Sequence, residues 1–448
     1  MKIGLAQNTP SQTMQTLTPY TKDCSSALSG DEIIQRLKEK KIKDKSGNDI
    51  VSVLNDMKLR QDALLICNMA ADEENSPINS YLLENHSDRL TEGIKVLAKA
   101  GGSKEIIIYA PEGLNAEALT DKLKDEFKVT HVNGEDSLVL RDASALYNEI
   151  ENGEIRVNKV ELEFNREFLS QGLNKRPTLM LDAETICLAA CIAETPDANL
   201  TKLVVINTEN PFIAEVKVKT KVSDVLSEFS IESQKPLLIG GLLGRFEDVN
   251  SHEDLLIDYD WKSGSITVFS GDDCMVKKTA ELLEQAKNQS CQKCVMCREG
   301  SYQLSALYSG VVCGKGKRED TALIDDIAPL IMQGTICGFG ENMAGLAYSS
   351  VLNNIGEIEA HIVKKTCPAG QCESFKSFYI NPSLCTGCGD CMDACEYDAI
   401  EGKTKFIHVI DQKMCEKCGE CMHVCPEDAV VTQKIRVPKK PMRVGTFK

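Results

Sequence analysis

Two copies of one cysteine pattern, close together near the C-terminus, constrain this chain more than any other feature. The first copy reads C-T-G-C-G-D-C-M-D-A-C from Cys385 to Cys395, and the second reads C-E-K-C-G-E-C-M-H-V-C from Cys415 to Cys425. In each copy the four cysteines have the spacing C-x2-C-x2-C-x3-C. Three thiolates at intervals of three residues on a tight loop converge on one face of a metal centre. The pattern therefore predicts a domain built around bound metal.

The repeated spacing is that of a bacterial-type ferredoxin domain with two [4Fe–4S] clusters, in which the fourth cysteine of each copy ligates the cluster of the other copy. It predicts one cluster on Cys385, Cys388, Cys391 and Cys425, and another on Cys415, Cys418, Cys421 and Cys395. The first copy departs from the usual pattern only at Glu396, where the second has Pro426. The alternative is a pair of structural zinc sites, which also use C-x2-C pairs. Repetition of the complete unit favours the clusters.

The composition excludes several other classes of protein. The chain has 448 residues, enough for about three domains, and its formal net charge of −16 argues against a nucleic-acid partner. It contains no run of eighteen apolar residues and no apolar signal-peptide core at the N-terminus, so no membrane span is expected. Fifteen of the 20 cysteines lie between Cys291 and Cys425, which is typical of metal sites in a reducing compartment. We therefore expect a cytoplasmic protein, and the oxygen sensitivity of such clusters indicates an anaerobic host.

Short apolar runs and amphipathic helices organise the rest of the chain. From Leu64 to about Ala193 they alternate as strand and helix, which predicts an α/β domain. Between 195 and 275 short strands accompany one helix, and from Met275 to Lys364 the pattern predicts four helices. The predicted divisions are an N-terminal arm (1–28), an α/β domain (29–194), a ubiquitin-like β-grasp domain (195–275), a helical bundle (276–366), a ferredoxin domain (367–433) and a basic tail (434–448).

A third group of cysteines lies upstream, in the sequence S-C-Q-K-C-V-M-C-R-E-G. It contains Cys291, Cys294 and Cys297, and the best candidate for a fourth ligand is Cys337 in G-T-I-C-G-F-G. A turn between helices would bring Cys337 back to the triplet. These four residues predict a third [4Fe–4S] cluster. Taken alone, the triplet would also suit zinc bound together with a histidine.

These segments resemble those of a known family. The motifs S-C-x-K-C-x-x-C-R-E-G and C-G-x-G are similar to those of the NADH-binding flavoprotein subunit of respiratory complex I and of its counterparts in NAD-linked and electron-bifurcating hydrogenases and formate dehydrogenases. The C-P-A-G-x-C segment at 367–372 and the ferredoxin repeat resemble the hydrogenase-type branch. The resemblance covers roughly residues 60–431. It implies a flavin domain, a β-grasp domain, a helical bundle with one cluster and a ferredoxin domain, with electrons passing from NADH to FMN and then to the clusters.

The flavin-binding segments depart from that family. Where the family has a glycine-rich phosphate loop, this chain reads K-I-K-D-K-S-G-N-D-I-V-S-V, and only Gly47 remains. Glycines let backbone N–H groups approach the phosphate, and Asp44 and Asp49 would repel it. Three further flavin-site segments are altered, at 67–77, 140–146 and 181–185. We therefore expect a degenerate FMN- and NADH-type domain with no cofactor-binding residues. The alternative is a divergent site that still holds flavin.

Four residues outside the three clusters form a candidate zinc site. Cys367 and Cys372 flank a P-A-G turn, His361 lies upstream, and His408 lies just before the second cysteine motif. Two thiolates and two imidazoles make a tetrahedral zinc set, which would connect the bundle to the ferredoxin domain. The alternative is a reduced cysteine pair at a tight turn. Cys274 carries no spacing signal.

The sequence thus predicts an iron–sulfur electron-transfer subunit with three [4Fe–4S] clusters and no catalytic residue. A relay needs a donor and an acceptor, so partners are expected within a redox complex: a thioredoxin-like [2Fe–2S] subunit and a catalytic hydrogenase, dehydrogenase or flavoprotein subunit. The alternative from another class is an FMN-dependent NADH dehydrogenase with a divergent flavin site. A third possibility is a scaffold whose clusters are only structural.

Overall fold

The chain divides into two compact units. The first contains residues 1–271, 281–305 and 321–354, and the second contains residues 272–280, 306–320 and 355–448. The computed structural model describes residues 4–5, 24–44, 49–60, 62–71, 73, 76–157, 172–196, 200–248, 255–258, 261, 263–432 and 435–447. Most of the predicted N-terminal arm lies outside these residues. Its described parts are a short strand β1 (Gly4–Leu5) and a helical turn α1 (Cys24–Ala27).

A four-stranded parallel sheet forms the core of the first unit. Its strands are β2 (Leu64–Asn68), β3 (Glu105–Pro111), β4 (Lys128–Gly134) and β5 (Thr178–Asp182), in the order β4-β3-β2-β5. Every residue of β2 is buried, because its apolar run is covered on both faces. The α/β class predicted for this stretch is confirmed.

In the described residues, seven helices, numbered α2 to α8, accompany this sheet along the chain. They are α2 (Gly30–Lys40), α3 (Ile50–Lys58), α4 (Ile78–Asn85), α5 (Ser87–Gly101), α6 (Glu117–Leu123), α7 (Ala143–Asn152) and α8 (Ala183–Glu194). Helix α5 packs so closely on α8 that a Cβ at Gly93 would lie 2.2 Å from the carbonyl oxygen of Ile186. A glycine is therefore needed at this crossing.

A second, mixed sheet follows in the same unit. It contains β1, β6 (Thr201–Asn207), β7 (Phe212–Lys217), β8 (Leu237–Ile239), β9 (Arg245–Glu247) and β10 (Ser265–Thr267), in the order β1-β7-β6-β10-β8-β9. Strand β10 is parallel to β6 and antiparallel to β8. One helix, α9 (Val222–Glu228), adds Val222, Val225 and Leu226 to the core beside this sheet. Short strands with one helix match the sequence pattern of this stretch.

Four helices lie between 275 and 364, as the sequence predicts. They are α10 (Met275–Gln289), α11 (Val295–Val312), α12 (Glu319–Gly334) and α13 (Gly338–Ile362). Within the described part of the chain, no helix combines the length and the apolar character that crossing a membrane requires.

The ferredoxin part of the second unit is built from very short elements. They are β11 (Tyr379–Ile380), α14 (Asp390–Asp393), β12 (Ile400–Glu401), β13 (Phe406–Ile407), β14 (Val409–Ile410), α15 (Glu420–His423), β15 (Val430–Val431) and β16 (Met442–Arg443). The strands pair as β11-β15, β12-β14 and β13-β16. Cys385, Cys391 and Cys421 belong to its small apolar core. A core of this size depends on bound metal for much of its stability.

A candidate iron–sulfur and metal centre

Two cavities in the ferredoxin part are each lined by four cysteines. One is lined by Cys385, Cys388, Cys391 and Cys425. The other is lined by Cys395, Cys415, Cys418 and Cys421. Each set combines three cysteines of one sequence copy with the fourth cysteine of the other copy. These are the two groups that the spacing predicts.

The backbone around the cavities is shaped for thiolate ligands. Gly387, Gly389 and Gly419 all have positive φ, at 74°, 110° and 85°, and the last two each begin a helical turn that carries a cysteine. The amides of Ala399 and Ala429 point at the crossover cysteines, with N–Sγ distances of 3.4 Å to Cys395 and 3.3 Å to Cys425. Such N–H···S hydrogen bonds stabilise thiolate and influence a cluster's reduction potential.

Burial of the cysteines also bears on metal binding. It raises the pKa of the Cys391 thiol to about 12 and that of Cys421 to about 11. These thiols therefore hold their protons at neutral pH until a metal displaces them. One cysteine of each group, Cys388 and Cys418, is exposed. Four converging thiols, a cavity and one solvent-facing ligand fit a [4Fe–4S] cluster in each place.

The third cysteine group lies in the first unit, where α10 ends and α11 begins. Cys291 and Cys294 precede α11, Cys297 lies in its first turn, and Cys337 immediately precedes α13. The turn after Cys337 packs on the triplet, since a Cβ at Gly340 would lie 3.1 Å from the Cβ of Cys297. Burial raises the pKa of the Cys337 thiol to about 12, and the negative charge of Asp142 adds to the effect. The structure therefore places the turn that follows Cys337 against Cys297.

A fourth group of ligand atoms forms in the second unit. Cys274, His361, Cys367 and Cys372 present one ligand atom each, and all four atoms lie within 4.8 Å of one another. The Sγ atoms of Cys274 and Cys372 are 3.6 Å apart, and each is 3.4 Å from Nε2 of His361. Thiolates at Zn–S bonds of 2.3 Å in a tetrahedron lie about 3.8 Å apart, so the spacing suits zinc.

The surroundings of this group also suit a metal ion. His361 Nδ1 lies 2.7 Å from the carbonyl oxygen of Glu357, which leaves Nε2 for a metal. The pKa of the Cys274 thiol is lowered, because the Cys372 thiol donates a hydrogen bond to the thiolate and His361 adds another. Thiolate is the form of cysteine that binds metal.

His408, predicted as the fourth zinc ligand, is not in this group. Its imidazole is buried beside the first ferredoxin cavity, with Nδ1 3.9 Å from Sγ of Cys385. Pairing of β14 with β12 fixes it there, and a Cβ at Gly402 would lie only 1.7 Å from the ring. Cys274 takes the fourth position instead. It lies just before α10 and has no neighbouring cysteine or histidine in sequence, so no spacing signal marks it.

The altered flavin-type segment at 67–77 lies at the carboxyl end of β2, where its backbone is hydrogen-bonded within the protein. Gly47 lies outside the described residues. At the carboxyl end of β2, the Asn68 side chain donates to the carbonyl of Leu140 at 2.9 Å and accepts from the amide of Ala70 at 2.9 Å. The amide of Ala71 donates to Asp136 at 2.9 Å. Open α/β sheets bind nucleotides beyond the carboxyl ends of their strands. Here the N–H groups of residues 70 and 71 are bonded to the protein itself.

Three acids in the other altered segments, at 140–146 and 181–185, have structural partners. Asp142 caps α7 by accepting from the amide of Ser144 at 2.9 Å, and Asp182 caps α8 by accepting from the amide of Thr185 at 3.0 Å. Glu184 forms an ion pair with the fully buried Lys202 at 2.9 Å. These carboxylates are therefore engaged in holding helices and strands in place.

The cysteine groups agree with the families that the chain matches. Residues 277–361 match the NADH-ubiquinone oxidoreductase-F iron–sulfur binding region, and residues 364–429 match a 4Fe-4S dicluster domain. Two segments of the chain thus match iron–sulfur binding families, as the sequence motifs predict.

The relatives are subunits of NAD(P)-linked oxidoreductases. The chain is 34% identical over 167 residues to NADP-reducing hydrogenase subunit HndC of Solidesulfovibrio fructosivorans, covering 36% of this chain and 34% of that protein. It is 30% identical over 127 residues to the F subunit of NADH-quinone oxidoreductase of Mycobacterium tuberculosis, covering 27% and 28%. It is 22% identical over 351 residues to the alpha subunit of NAD-reducing hydrogenase HoxS of Cupriavidus necator, covering 70% and 58%. The chain thus matches about a third of HndC and under two thirds of each of these relatives.

The fold is similar to that of a solved hydrogenase. A crystal structure of an NAD+-reducing [NiFe]-hydrogenase in the H2-reduced state superposes with a TM-score of 0.67 at 19% identity, over 77% of this chain and 65% of that chain. At this identity the likeness concerns the fold.

Proposed function

We propose that this chain is an electron-transfer subunit of a multisubunit oxidoreductase and carries three [4Fe–4S] clusters. The observation that carries the proposal is the pair of cavities, each lined by four cysteines with the crossover grouping. When bound, such clusters supply one-electron carriers whose potentials are set by their thiolate ligands and surrounding hydrogen bonds. The third cluster is assigned to Cys291, Cys294, Cys297 and Cys337.

The residues of the chain have four tasks in this function. The cysteines hold the clusters, and the amides of Ala399 and Ala429 stabilise the thiolates of the crossover cysteines. Burial of Cys385, Cys391 and Cys421 keeps water from most of each cluster. The exposed Cys388 and Cys418 leave one edge of each cluster near solvent, where a partner can approach. No residue is assigned to bond-making chemistry.

We further propose one zinc ion on Cys274, His361, Cys367 and Cys372. The interatomic distances of 3.4–3.6 Å and the hydrogen bond from His361 to Glu357 support it. A closed set of four protein ligands without an open position is typical of structural zinc. The ion would stabilise the fold and take no part in electron transfer.

The α/β domain is proposed to have lost its flavin. Internal hydrogen bonds occupy the amides of Ala70 and Ala71, and the acids at Asp142, Asp182 and Glu184 serve as helix caps and an ion pair. The mixed sheet is proposed as the β-grasp domain that the family resemblance implies. Partners would be other subunits of a redox complex: a [2Fe–2S] subunit of thioredoxin-like fold and a catalytic hydrogenase, dehydrogenase or flavoprotein subunit.

The rival function is NADH oxidation by FMN in this chain, because the relatives include NAD-reducing and NADH-quinone oxidoreductase subunits.

Anaerobic reduction of the purified chain distinguishes the electron relay from NADH oxidation. We expect dithionite to reduce the clusters, seen as bleaching near 400 nm and an electron paramagnetic resonance signal. We expect NADH to leave them oxidised, even when FMN is added. Reduction by NADH alone would establish the dehydrogenase and contradict the relay.

A further inference from the structure

The C-terminal end of the chain is basic, in contrast to the rest. The last acidic residue is Asp428, and the cations that follow it are Lys434, Arg436, Lys439, Lys440, Arg443 and Lys448. The complete chain has a formal net charge of −16. Such a reversal of sign within twenty residues creates a local positive field that an acidic molecule would meet first.

The structure holds this segment as a two-stranded ribbon. Strand β16 pairs with β13, so that Arg443 lies opposite Phe406, and the amide of Val444 donates to the carbonyl of Lys405 at 3.1 Å. Phe447 packs against the ferredoxin core, and the Arg436 guanidinium lies 5.5 Å from the centre of its ring. We call residues 403–407 and 436–447 the basic ribbon.

The cations of the basic ribbon face solvent. The exposed ones are Lys403, Lys405, Arg436, Lys439, Lys440 and Arg443. None of these six forms an ion pair with another described residue. Lys403 instead lies over the ring of Phe406, 4.2 Å from its centre. A partner can therefore bind these charges without first breaking an ion pair within the protein.

The basic ribbon lies directly against the loop of the first cluster group. The amide of Lys405 donates to the carbonyl of Gly387 at 3.1 Å, and a Cβ at Gly387 would lie 2.7 Å from backbone atoms of Phe406. Gly387 immediately precedes the exposed Cys388. The first cluster's solvent-facing edge therefore adjoins the basic ribbon.

Exposed apolar side chains occur in the basic ribbon and in the first cysteine loop, and the two cavities differ in their acidic lining. Leu384, next to Cys385, is 46% exposed and Val444 is 37% exposed. A small apolar centre within a charged rim is the usual anatomy of a protein contact. The first cavity has one acidic lining residue, Glu427, whereas the second has Glu416 and Glu420. The lining of the first cavity thus carries fewer acidic residues than the lining of the second.

We propose that the basic ribbon is a docking surface for a small acidic protein that carries one electron, and that this carrier exchanges electrons with the first cluster at the Cys388 edge. The proposal rests on the proposed electron-transfer function. One electron leaves the reduced chain and the carrier gains it, and no bond is made or broken. Opposite charges steer the encounter, and a small contact area lets the carrier leave again.

The test is electron transfer to a flavodoxin, an acidic carrier whose flavin absorbance is distinct from that of the chain. The full chain is reduced with dithionite, freed of excess reductant and mixed anaerobically with oxidised flavodoxin. The ribbon variant combines Lys439→Glu, Lys440→Glu and Arg443→Glu. The matched control combines Lys38→Glu, Lys104→Glu and Lys175→Glu, which are exposed lysines of the first unit and change the net charge equally.

We expect the second-order rate constant of the ribbon variant to fall at least about tenfold at low salt, and that of the control to stay within about twofold of wild type. The wild-type rate should fall as salt rises, and the ribbon variant should lose this dependence. With cytochrome c, a basic carrier, the ribbon variant should react faster than wild type. A milder pair, Lys439→Gln with Lys440→Gln, lies in the turn outside β16 and should give an intermediate rate.

Iron content and the dithionite-reduced resonance signal are measured on every variant. If these match wild type and the ribbon variant still reduces flavodoxin at the wild-type rate, the docking proposal is wrong and the relay stands. The docking proposal is also wrong if the ribbon variant loses affinity for DNA or RNA while its rate of flavodoxin reduction is unchanged. If the wild-type chain holds no reducible cluster, the proposed function itself fails.

Discussion

Replacing Cys425 with alanine should remove the cluster that is otherwise held by the first cysteine copy, and the chain should lose about four irons. The reason is the crossover: Cys425 belongs to the second copy in sequence but lines the cavity of Cys385, Cys388 and Cys391. Paired variants make the test specific. Cys425→Ala combined with Cys385→Ala should lose no more iron than either change alone, because both remove the same cluster. Cys425→Ala combined with Cys415→Ala should lose about eight.

The measurement is iron and sulfide per chain after anaerobic purification, with electron paramagnetic resonance of the reduced protein. Cys313→Ala is the control, because Cys313 is exposed and lies outside the four ligand groups, and it should keep all the iron. The crossover grouping would be refuted by the opposite pattern of iron loss. In that pattern Cys425→Ala with Cys415→Ala would lose only one cluster, and Cys425→Ala with Cys385→Ala would lose two.

Replacing Cys274 with alanine should remove the zinc. Its Sγ lies 3.6 Å from that of Cys372 and 3.4 Å from Nε2 of His361, so its loss leaves three ligands and an open position. Binding of structural zinc contributes directly to folding. We expect zinc per chain to fall from about one to near zero, and the unfolding temperature of the second unit to fall by at least about 5 °C, the shift that roughly 1 kcal/mol produces in a domain of this size.

His408→Ala is the informative comparison for this prediction. His408 borders the first cluster cavity and lies outside the zinc group, so this variant should keep its zinc. Metal analysis by mass spectrometry after purification in zinc-containing medium shows whether Cys274 or His408 is the fourth zinc ligand. Zinc lost from His408→Ala and kept in Cys274→Ala would show that the fold brings a different set of ligands together in solution.

The ferredoxin groups could be predicted from the sequence because their ligands are local. Three cysteines within seven residues converge wherever the chain makes a tight loop, and the repeat identifies the fourth. The buried strands β2 and β3 were equally visible, since their apolar runs are covered on both faces. The edge strand β4 was not identified, because all of its residues but Gly134 are exposed or half-buried and they include Lys128, Thr130 and His131.

Other features depend on tertiary contacts that no local pattern records. Cys274 meets His361 across 87 positions of sequence, and only the placement of α10 and α13 brings them together. The sequence offered His408 instead, since it lies near a cysteine motif, but β12 and β14 hold it against the ferredoxin cavity. Strand β16 was not predicted either. Its residues follow a segment of prolines and lysines, and they form a strand only because they pair with β13.

The central claim is that this chain relays electrons through clusters and holds no flavin. The most direct test is a single anaerobic cofactor analysis of the purified chain, measuring iron, sulfide, zinc and acid-released flavin on one sample. The account predicts about twelve irons and twelve sulfides, about one zinc and no flavin. One FMN per chain would contradict it, and would make the chain an NADH-oxidising enzyme whose flavin is held by contacts other than the family's glycine-rich loop.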